Sequence, residues 1–492
     1  MSRLIPGRAP PPGESPIADR IRERRGARGL TPLDQALLHV PPVAEGWNSL
    51  LGAIRTKGRL PGDVRELMIL RVAARNKAAF EWIHHEHVGR SEGLNTTQLW
   101  AIRDTTSLPP ASVLSPLQAA ALAFADSSTV SVRVPDEVTA ELKEQLKPVA
   151  SRDALDVDDL LVEAAAAVSI YNMVSRFLVS LDVAGMSDNS VPWPVDRKEH
   201  TVAIGSEHLH AVTLVTHPEA PWLVFANSLL TDETMWDWLV PLILAPTTST
   251  TWPFKGTYNL LLHAQRGHGR SSTPAEPCTM QILAHDIALL ISTLVPGQKV
   301  RSVIGVSQGG AATLAFSALH PSLTESVVAC DTGPRTAPGN VEAWQSRIAL
   351  AKADGMPALA TATADRWFPA PSKCGTGGVH YGRTNAIKRM IEATTIPGFE
   401  HGAGALMSYD LVQEPSVDLL NNGGKVKTLL VAGELDGGGK VGAGMRALRD
   451  KWNETAPISK IEFVEIAGAG HLPMVDETEQ FVDVLQKFLN AV

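Results

Sequence analysis

The chain has 492 residues, which is more than one ordinary hydrophobic core accommodates and predicts two or three domains. Hydrophobic residues make up 44% and charged residues 20%, as in an average globular protein, and the formal net charge of −8 argues against a nucleic-acid-binding surface. The three cysteines, Cys278, Cys330 and Cys374, form neither a disulfide framework nor a zinc-site spacing, and they favour a reducing, cytoplasmic location.

The first part of the chain is predicted to be helical after a short lead. Residues 1–16 are proline-rich and lack the apolar core of a signal peptide, so they predict a disordered lead. From residue 17 to 186, apolar residues recur at three- and four-residue spacing, as in VRELMILRVAARN and VDDLLVEAAAAVSIYNMVSRFLVSL. This pattern predicts an all-α domain. No apolar run is expected to reach the roughly 20 residues that a membrane span requires.

The second part has the rhythm of an α/β domain. Residues 187–199 contain two prolines and several small polar residues, a composition typical of a linker. Over residues 200–492, short apolar runs such as WLVFAN and VKTLLVAG alternate with helical segments, which predicts a largely parallel sheet covered on both faces. Residues 337–412 interrupt the alternation with helical pattern alone, and this insertion predicts a helical lid over the carboxyl edge of the sheet.

A nucleophile motif lies in the middle of the α/β part. Residues 300–310, VRSVIGVSQGG, place the pattern G-x-S-x-G between an apolar strand and a helical segment. In that context the pattern is the nucleophile elbow, in which glycines permit a tight turn that exposes the serine hydroxyl at the sheet edge. The sequence therefore predicts Ser307 as a nucleophile.

A serine needs a base and a group that orients the base. His471 follows the final apolar run and is the predicted base. Asp436, at the end of VKTLLVAGELD, is the favoured acid, and Asp331, at the end of ESVVACD, is the alternative because some hydrolases place the acid one strand earlier. Two backbone N–H groups should form the oxyanion hole, those of Gln308 and of Leu229 in the turn after WLVFA.

The α/β part resembles the 3-oxoadipate enol-lactone hydrolases of the α/β-hydrolase superfamily over nearly all of residues 200–492. Shared stretches include ANSLLTDETMW, QRGHGRSS, GVSQGG, GMPALATATADRWFP and AGAGHLPMVD. The resemblance implies attack of Ser307 on a lactone carbonyl, and Ser228 as a contact for the substrate. It also implies that lid residues lie near a substrate carboxylate, with the candidates Trp344, Arg347, Arg366 and Trp367.

The helical part resembles the carboxymuconolactone decarboxylase family, related to alkylhydroperoxidase-D-like proteins, over about residues 20–186. The resemblance rests on RELMILRVAARNKAAFEWIHHEHVGRSEG and YNMVSRFLVSLDV. Peroxidase chemistry is excluded because this part contains no cysteine. The remaining candidates are Glu66, Glu81 and His85, with Glu81 and His85 spaced i, i+4 as a proton-transfer pair or, equally plainly, as a structural contact.

Three hypotheses follow. The main one is a bifunctional enzyme of protocatechuate catabolism that decarboxylates a carboxymuconolactone and hydrolyses the 3-oxoadipate enol-lactone, with no metal or organic cofactor. The second is a serine lactonase or esterase of a secondary pathway, with the helical domain as an oligomerisation scaffold. In both, the resemblance of the helical part implies a homo-oligomer that assembles through its helices. The third is a non-catalytic binding protein, but the presence of the serine, acid and histidine argues against it.

The histidines of HHEH (84–87) lack the His-Glu-x-x-His pattern and a third ligand, so no metal is expected.

Overall fold

The computed structural model describes residues 4–106, 112–245, 257–273, 275–455 and 461–491. Their contacts divide the chain into two compact units, and the described residues of unit 1 lie within 4–194 and those of unit 2 within 195–491. Unit 1 is helical and unit 2 is built on one mixed sheet, so the predicted fold class is confirmed.

Unit 1 packs around one fully surrounded helix. Its α-helices are α1 (Pro16–Arg25), α2 (Pro32–Leu37), α3 (Pro41–Thr56), α4 (Gly62–Arg75), α5 (Ala79–Ser91), α6 (Thr96–Arg103), α7 (Pro116–Ser131), α8 (Asp136–Asp153) and α9 (Val157–Ser180). Every residue of α4 from Val64 to Ala74 is buried, because α5, α6, α7 and α9 all pack against it. A helix that is buried on all sides occupies the centre of a bundle, and α4 accordingly places Glu66 inside the unit.

Both borders of unit 1 differ from the sequence prediction. Residues 4–15, expected to be disordered, follow an irregular path on which the Arg8 N–H donates to the Gln35 carbonyl at 3.1 Å and Ile5 packs against the core. In the expected linker, Trp193 stacks on Trp100 at 4.4 Å and residues from 196 onward already form a strand. Composition does not reveal these hydrogen bonds and packing contacts, because they depend on residues that are distant in sequence.

One helix passes a length-and-composition test for a membrane span, contrary to the expectation from the sequence. Helix α9 has 24 residues, and 44% of its most apolar window is buried inside the protein. It packs against α4, α7 and α8, and its Tyr171 and Ser175 side chains hydrogen-bond to residues of α3 and α5. A core helix passes the same test, and these contacts are those of a core helix.

The sheet of unit 2 has the order β1-β2-β4-β3-β5-β6-β7-β8. Its strands are β1 (Asp196–Ile204), β2 (Glu207–Val215), β3 (Trp222–Ala226), β4 (Asn259–His263), β5 (Val300–Val306), β6 (Thr324–Cys330), β7 (Lys427–Gly433) and β8 (Glu462–Ile466). Strand β2 is antiparallel to both of its neighbours, and the strands from β4 to β8 are parallel. Parallel strands end at one edge, so the residues that follow β5, β6, β7 and β8 gather there.

Helices flank the sheet and form the insertion. They are α10 (Val240–Leu244), α11 (Met280–Leu294), α12 (Gln308–Leu319), α13 (Asn340–Trp367), α14 (Tyr381–Ala393), α15 (Ile396–Met407), α16 (Leu419–Asn422), α17 (Lys440–Thr455), α18 (Pro473–Asp476) and α19 (Thr478–Asn490). The insertion between β6 and β7 contains α13 to α15 and, in its described residues, no strand of the sheet. Helix α13 changes direction at Gly355, where φ is +83°, and it packs against α14 and α15.

Candidate active sites

Ser307 occupies a sharp turn between β5 and α12. Its φ of 56° and ψ of −117° are unusual for a residue with a side chain, and such strain is characteristic of functional turns. The flanking glycines are required by close packing: a Cβ on Gly305 would lie 2.2 Å from the Gly309 carbonyl oxygen, and one on Gly309 would lie 2.3 Å from the Ala226 oxygen. The predicted elbow therefore has its backbone geometry.

His471 and Asp436 form a hydrogen-bonded pair. The His471 Nδ1 lies 2.7 Å from the Asp436 Oδ2, and both side chains are buried. With Nδ1 committed to the carboxylate, Nε2 is left as the proton acceptor that a serine requires. Burial alone would raise the pKa of Asp436, but the adjacent His471 and then Arg366 hold it below its ordinary value, so Asp436 is ionised.

Ser307 lies at the same sheet edge as this pair. Its N–H donates to the Cys330 carbonyl at 2.8 Å, and the next residue, Asp331, has a carboxylate oxygen within 4.8 Å of ring and carboxylate atoms of His471 and Asp436. Among the described residues the Ser307 hydroxyl makes no hydrogen bond to the imidazole. Such bonds commonly tighten only when substrate is bound.

The two acids that the sequence left as alternatives are neighbours. Asp436 bonds to the imidazole, whereas Asp331 accepts the Gly433 N–H at 2.8 Å through Oδ1. The favoured acid is therefore the one that contacts the base.

The predicted oxyanion donors lie in two anchored segments. Gln308 is the first residue of α12, so its N–H has no acceptor within the helix. Its side chain is fixed, donating to the Gly402 carbonyl at 2.5 Å and accepting from Gln265 at 2.8 Å. Leu229 is buried in the turn after β3, where Ser228 is fully buried and its hydroxyl has no partner among the described residues.

The lid reaches the base through Trp367. The centroids of the Trp367 and His471 rings are stacked 5.3 Å apart, and the Trp367 backbone carbonyl accepts the backbone N–H of His471 at 2.8 Å. Trp367, a predicted substrate contact, is 2% exposed and packs on His471.

Two lid residues, Arg366 and Arg347, are positively charged. Arg366 is exposed to solvent and has no carboxylate partner within ion-pair distance among the described residues. Arg347 stacks its guanidinium on Trp344 at 4.4 Å. Two cations that lack acids of their own suit a carboxylate-bearing ligand.

Unit 1 holds a second polar cluster. The His85 Nδ1 lies 2.7 Å from the Glu66 Oε2, and its Nε2 lies 3.4 Å from an Arg55 nitrogen. Since a guanidinium only donates, His85 must accept at Nε2 and is neutral; burial, its main influence, lowers its pKa. Arg55 also donates to the Tyr171 hydroxyl at 2.6 Å.

The predicted pair of Glu81 and His85 is not formed, because no hydrogen bond joins the two side chains among the described residues. Glu81 instead accepts from the Ser175 hydroxyl at 2.8 Å, because its side chain turns toward α9 while His85 faces α4. Glu81 is 2% exposed, and burial raises its pKa well above the ordinary value, which favours its protonated form.

These residues line a cavity of about 410 Å³ in unit 1. Its wall includes Glu66, Glu81, His85 and Arg55, and also Arg24 and Arg28, which have no carboxylate partner within ion-pair distance among the described residues. A volume of this size holds a small molecule, and the excess of arginines over ionised acids favours an anion.

The described residues contain one group with ligand atoms close enough to hold a metal ion, Asp331, Asp436 and His471. Its members are engaged with one another and with the Gly433 N–H, so no metal is assigned. In the histidine run of α5, the His84 Nδ1 lies 2.7 Å from the Phe80 carbonyl.

Comparison with known proteins matches both units. The family model described as "Alpha/beta hydrolase family" matches residues 223–484, more than half of the chain. This chain belongs to the alpha/beta hydrolase family. The model described as "Carboxymuconolactone decarboxylase family" matches residues 41–125, within unit 1.

Similar proteins include enol-lactonases. The chain is 24% identical to 3-oxoadipate enol-lactonase 1 of Acinetobacter baylyi over 282 residues, which cover 56% of this chain and 92% of that protein. It is 31% identical to 3-oxoadipate enol-lactonase 2 of the same organism over 151 residues, covering 30% of this chain and 51% of that protein. A solved enol-lactonase from Burkholderia xenovorans LB400 has 25% identity and a TM-score of 0.47, covering 59% of this chain and 100% of its own.

Sequence reasoning missed two residues of the unit 1 cluster. Arg55 and Tyr171 come from helices α3 and α9, which are 116 residues apart at these positions. An arginine in a helix and a tyrosine in an apolar helix have no distinguishing local pattern, and only their meeting at His85 marks them.

Proposed function

We propose that unit 2 is a serine hydrolase that opens an enol-lactone, with Ser307 as nucleophile, His471 as base and Asp436 as the acid that orients it. The observation that carries this proposal is the Asp436–His471 hydrogen bond at the same sheet edge as a serine in the strained elbow conformation. The similarity to enol-lactonases supports the substrate class.

The chemistry follows from these positions. His471 removes the Ser307 proton as the hydroxyl oxygen attacks the lactone carbonyl, and the N–H groups of Gln308 and Leu229 stabilise the tetrahedral oxyanion. The acyl–oxygen bond then breaks and releases an enolate, which takes up a proton and becomes a ketone. Water activated by His471 hydrolyses the acyl-enzyme.

Covalent labelling tests the serine mechanism directly. A fluorophosphonate reacts with a serine only when a base activates it. We expect one label per chain, and peptide mapping should place it on Ser307. Absence of labelling in folded protein, or a label on another serine, would contradict the mechanism.

The lid arginines predict that the substrate carries a carboxylate group. Replacing Arg366 with methionine should raise KM for the enol-lactone about 10- to 100-fold, because a charge-assisted hydrogen bond is lost. Steady-state kinetics would measure this, with p-nitrophenyl acetate as a neutral substrate whose KM should barely change. Arg389→Met, an exposed change in α14, is the matched control. Equal losses on both substrates would show that Arg366 does not recognise the carboxylate.

We further propose that unit 1 decarboxylates a carboxymuconolactone and so produces the lactone that unit 2 consumes. The cluster of Glu66, His85 and Arg55 in an anion-favouring cavity supports this role, as does the family match. The bond to the leaving carboxylate breaks, CO₂ departs, and the electron pair enters the conjugated lactone system near Arg55.

Glu81 is the proposed proton donor in that step. Its protonated carboxyl lines the cavity and supplies the hydrogen of the new C–H bond, after which solvent restores its proton. His85, held by Glu66, keeps Arg55 directed at the developing charge. The two steps would belong to protocatechuate catabolism, and carrying both in one chain would raise the local concentration of an unstable intermediate.

Two expectations about the whole protein are retained as proposals. Exposed large apolar residues on helices of unit 1, Leu50, Ile83, Val162 and Met173, support assembly into a homo-oligomer. Sedimentation velocity tests this, and a monomer at micromolar concentration would contradict it. The three cysteines are free, which supports a cytoplasmic location.

A further inference from the structure

Asp331 is a buried acid that the proposed mechanism does not use. It follows β6, between the strand that carries the nucleophile and the strand that precedes Asp436. Its N–H donates to the Val431 carbonyl at 2.9 Å, and its side chain is only 3% exposed. Its φ of 45° is positive, a conformation that a residue with a side chain rarely adopts without a local cause.

The two oxygens of Asp331 have different surroundings. Oδ1 accepts the Gly433 N–H at 2.8 Å, whereas Oδ2 is buried and has no donor among the described residues. An ionised oxygen buried without a donor is costly. A proton on Oδ2 removes that cost and gives the atom a hydrogen to donate.

Asp436 offers a carboxylate acceptor in the same group of side chains. Carboxyl atoms of Asp331 and Asp436 lie within 4.8 Å of each other and of a His471 ring nitrogen. Two ionised carboxylates in this position would repel each other. Burial, and next the negative charge of Asp436, raise the pKa of Asp331 well above its usual range, which agrees with a neutral acid beside an ionised one.

We propose that Asp331 is a positioning residue of the hydrolase site, a neutral carboxylic acid whose hydrogen bond fixes the Asp436 carboxylate that orients His471. The inference rests on the proposed serine mechanism. The acid of the site is then a pair of carboxyl groups. Asp436 is ionised and bonds the imidazole, whereas Asp331 is neutral and donates a hydrogen bond to Asp436.

The pair has a consequence for the pH dependence of activity. The ionisable groups around Asp331 are Asp436 and His471 at the same sheet edge and the adjoining Cys330, and Arg366 of the lid acts on Asp436. The active form has Asp331 protonated, so its contribution is present below its raised pKa and is lost as pH rises through it. Ionisation would remove the hydrogen bond and place a second negative charge beside Asp436.

Asparagine at this position separates the roles. In Asp331→Asn the amide oxygen can still accept from Gly433 and the amide nitrogen can still donate to Asp436, but no proton is lost at any pH. We expect kcat for the enol-lactone, and the rate of fluorophosphonate labelling, to stay within about threefold of wild type. The alkaline limb of the pH–rate profile should move to higher pH. Asp331→Ala should lower kcat about 10- to 100-fold with little change in KM.

Controls distinguish positioning from folding. Asp354→Asn, an exposed change in α13, should alter neither kcat nor the profile, and thermal unfolding of each variant reports its stability. If Asp331→Asn loses as much activity as Asp331→Ala while remaining folded, or leaves the alkaline limb unmoved, the inference is wrong. An active Asp436→Asn beside an inactive Asp331→Asn would reverse the two roles. Failure of wild-type protein to be labelled at Ser307 would instead remove the serine mechanism, and this inference with it.

Discussion

Replacing Ser307 with alanine is expected to lower kcat for enol-lactone hydrolysis by about 10⁶-fold, close to complete loss. The reason is that no other group can form the acyl-enzyme, and the remaining oxyanion donors accelerate only direct attack by water. Hydrolysis of purified enol-lactone, followed by the disappearance of its ultraviolet absorbance, measures the change.

Ser302→Ala is the matched control for this variant. Ser302 lies in β5, the strand that precedes Ser307; it is fully buried, and its hydroxyl has no partner among the described residues, so its removal should leave kcat nearly unchanged. CO₂ release from carboxymuconolactone should survive in Ser307→Ala, because that step is assigned to unit 1. Retention of lactone turnover by Ser307→Ala would disprove the serine mechanism.

Replacing Glu81 with glutamine is expected to lower CO₂ release about 10²- to 10⁴-fold, the usual contribution of a positioned general acid. A neutral glutamic acid and glutamine have nearly the same shape, and the amide oxygen can still accept from Ser175. The change therefore removes the transferable proton and little else. Trapping of CO₂ from carboxymuconolactone gives the rate, and hydrolysis of added enol-lactone should be unaffected.

Glu86→Gln provides the comparison within α5. Glu86 pairs with Arg90 at 2.9 Å and is outside the cavity wall, so its replacement should leave CO₂ release within about twofold of wild type. Full CO₂ release by Glu81→Gln would show that Glu81 is not the donor. Absence of CO₂ release from wild-type protein would leave unit 2 as the catalytic part and unit 1 without the assigned chemistry.

The elbow geometry and the Asp436–His471 pair of the candidate hydrolase site could be predicted because they depend on local motifs. The pattern around Ser307 requires glycine at two positions for steric reasons, and the geometry at Gly305 and Gly309 shows the same requirement. His471 and Asp436 were found from their places after the last strands, since parallel strands bring their carboxyl ends together.

Contacts between distant segments were predicted less well. The i, i+4 spacing of Glu81 and His85 suggested a pair, yet His85 turns to Glu66, 19 residues earlier, and Glu81 turns to Ser175, 94 residues later. Spacing places two side chains on one helix face, but it does not decide which neighbouring helix supplies the better partner. Strand β1 was likewise assigned in part to the linker, because its polar residues form a strand only through pairing with β2.

By itself, the sequence determined the fold class of both units and predicted Ser307, His471 and Asp436 as candidates for nucleophile, base and acid, because periodicity and tight turns depend on residues that are close along the chain. The tertiary structure alone decided which of two acids bonds the imidazole, that the other acid lies beside it, and that Arg55 and Tyr171 complete a cluster at His85. These outcomes depend on burial and on which charges share a low-dielectric space, and both quantities exist only once distant segments have packed.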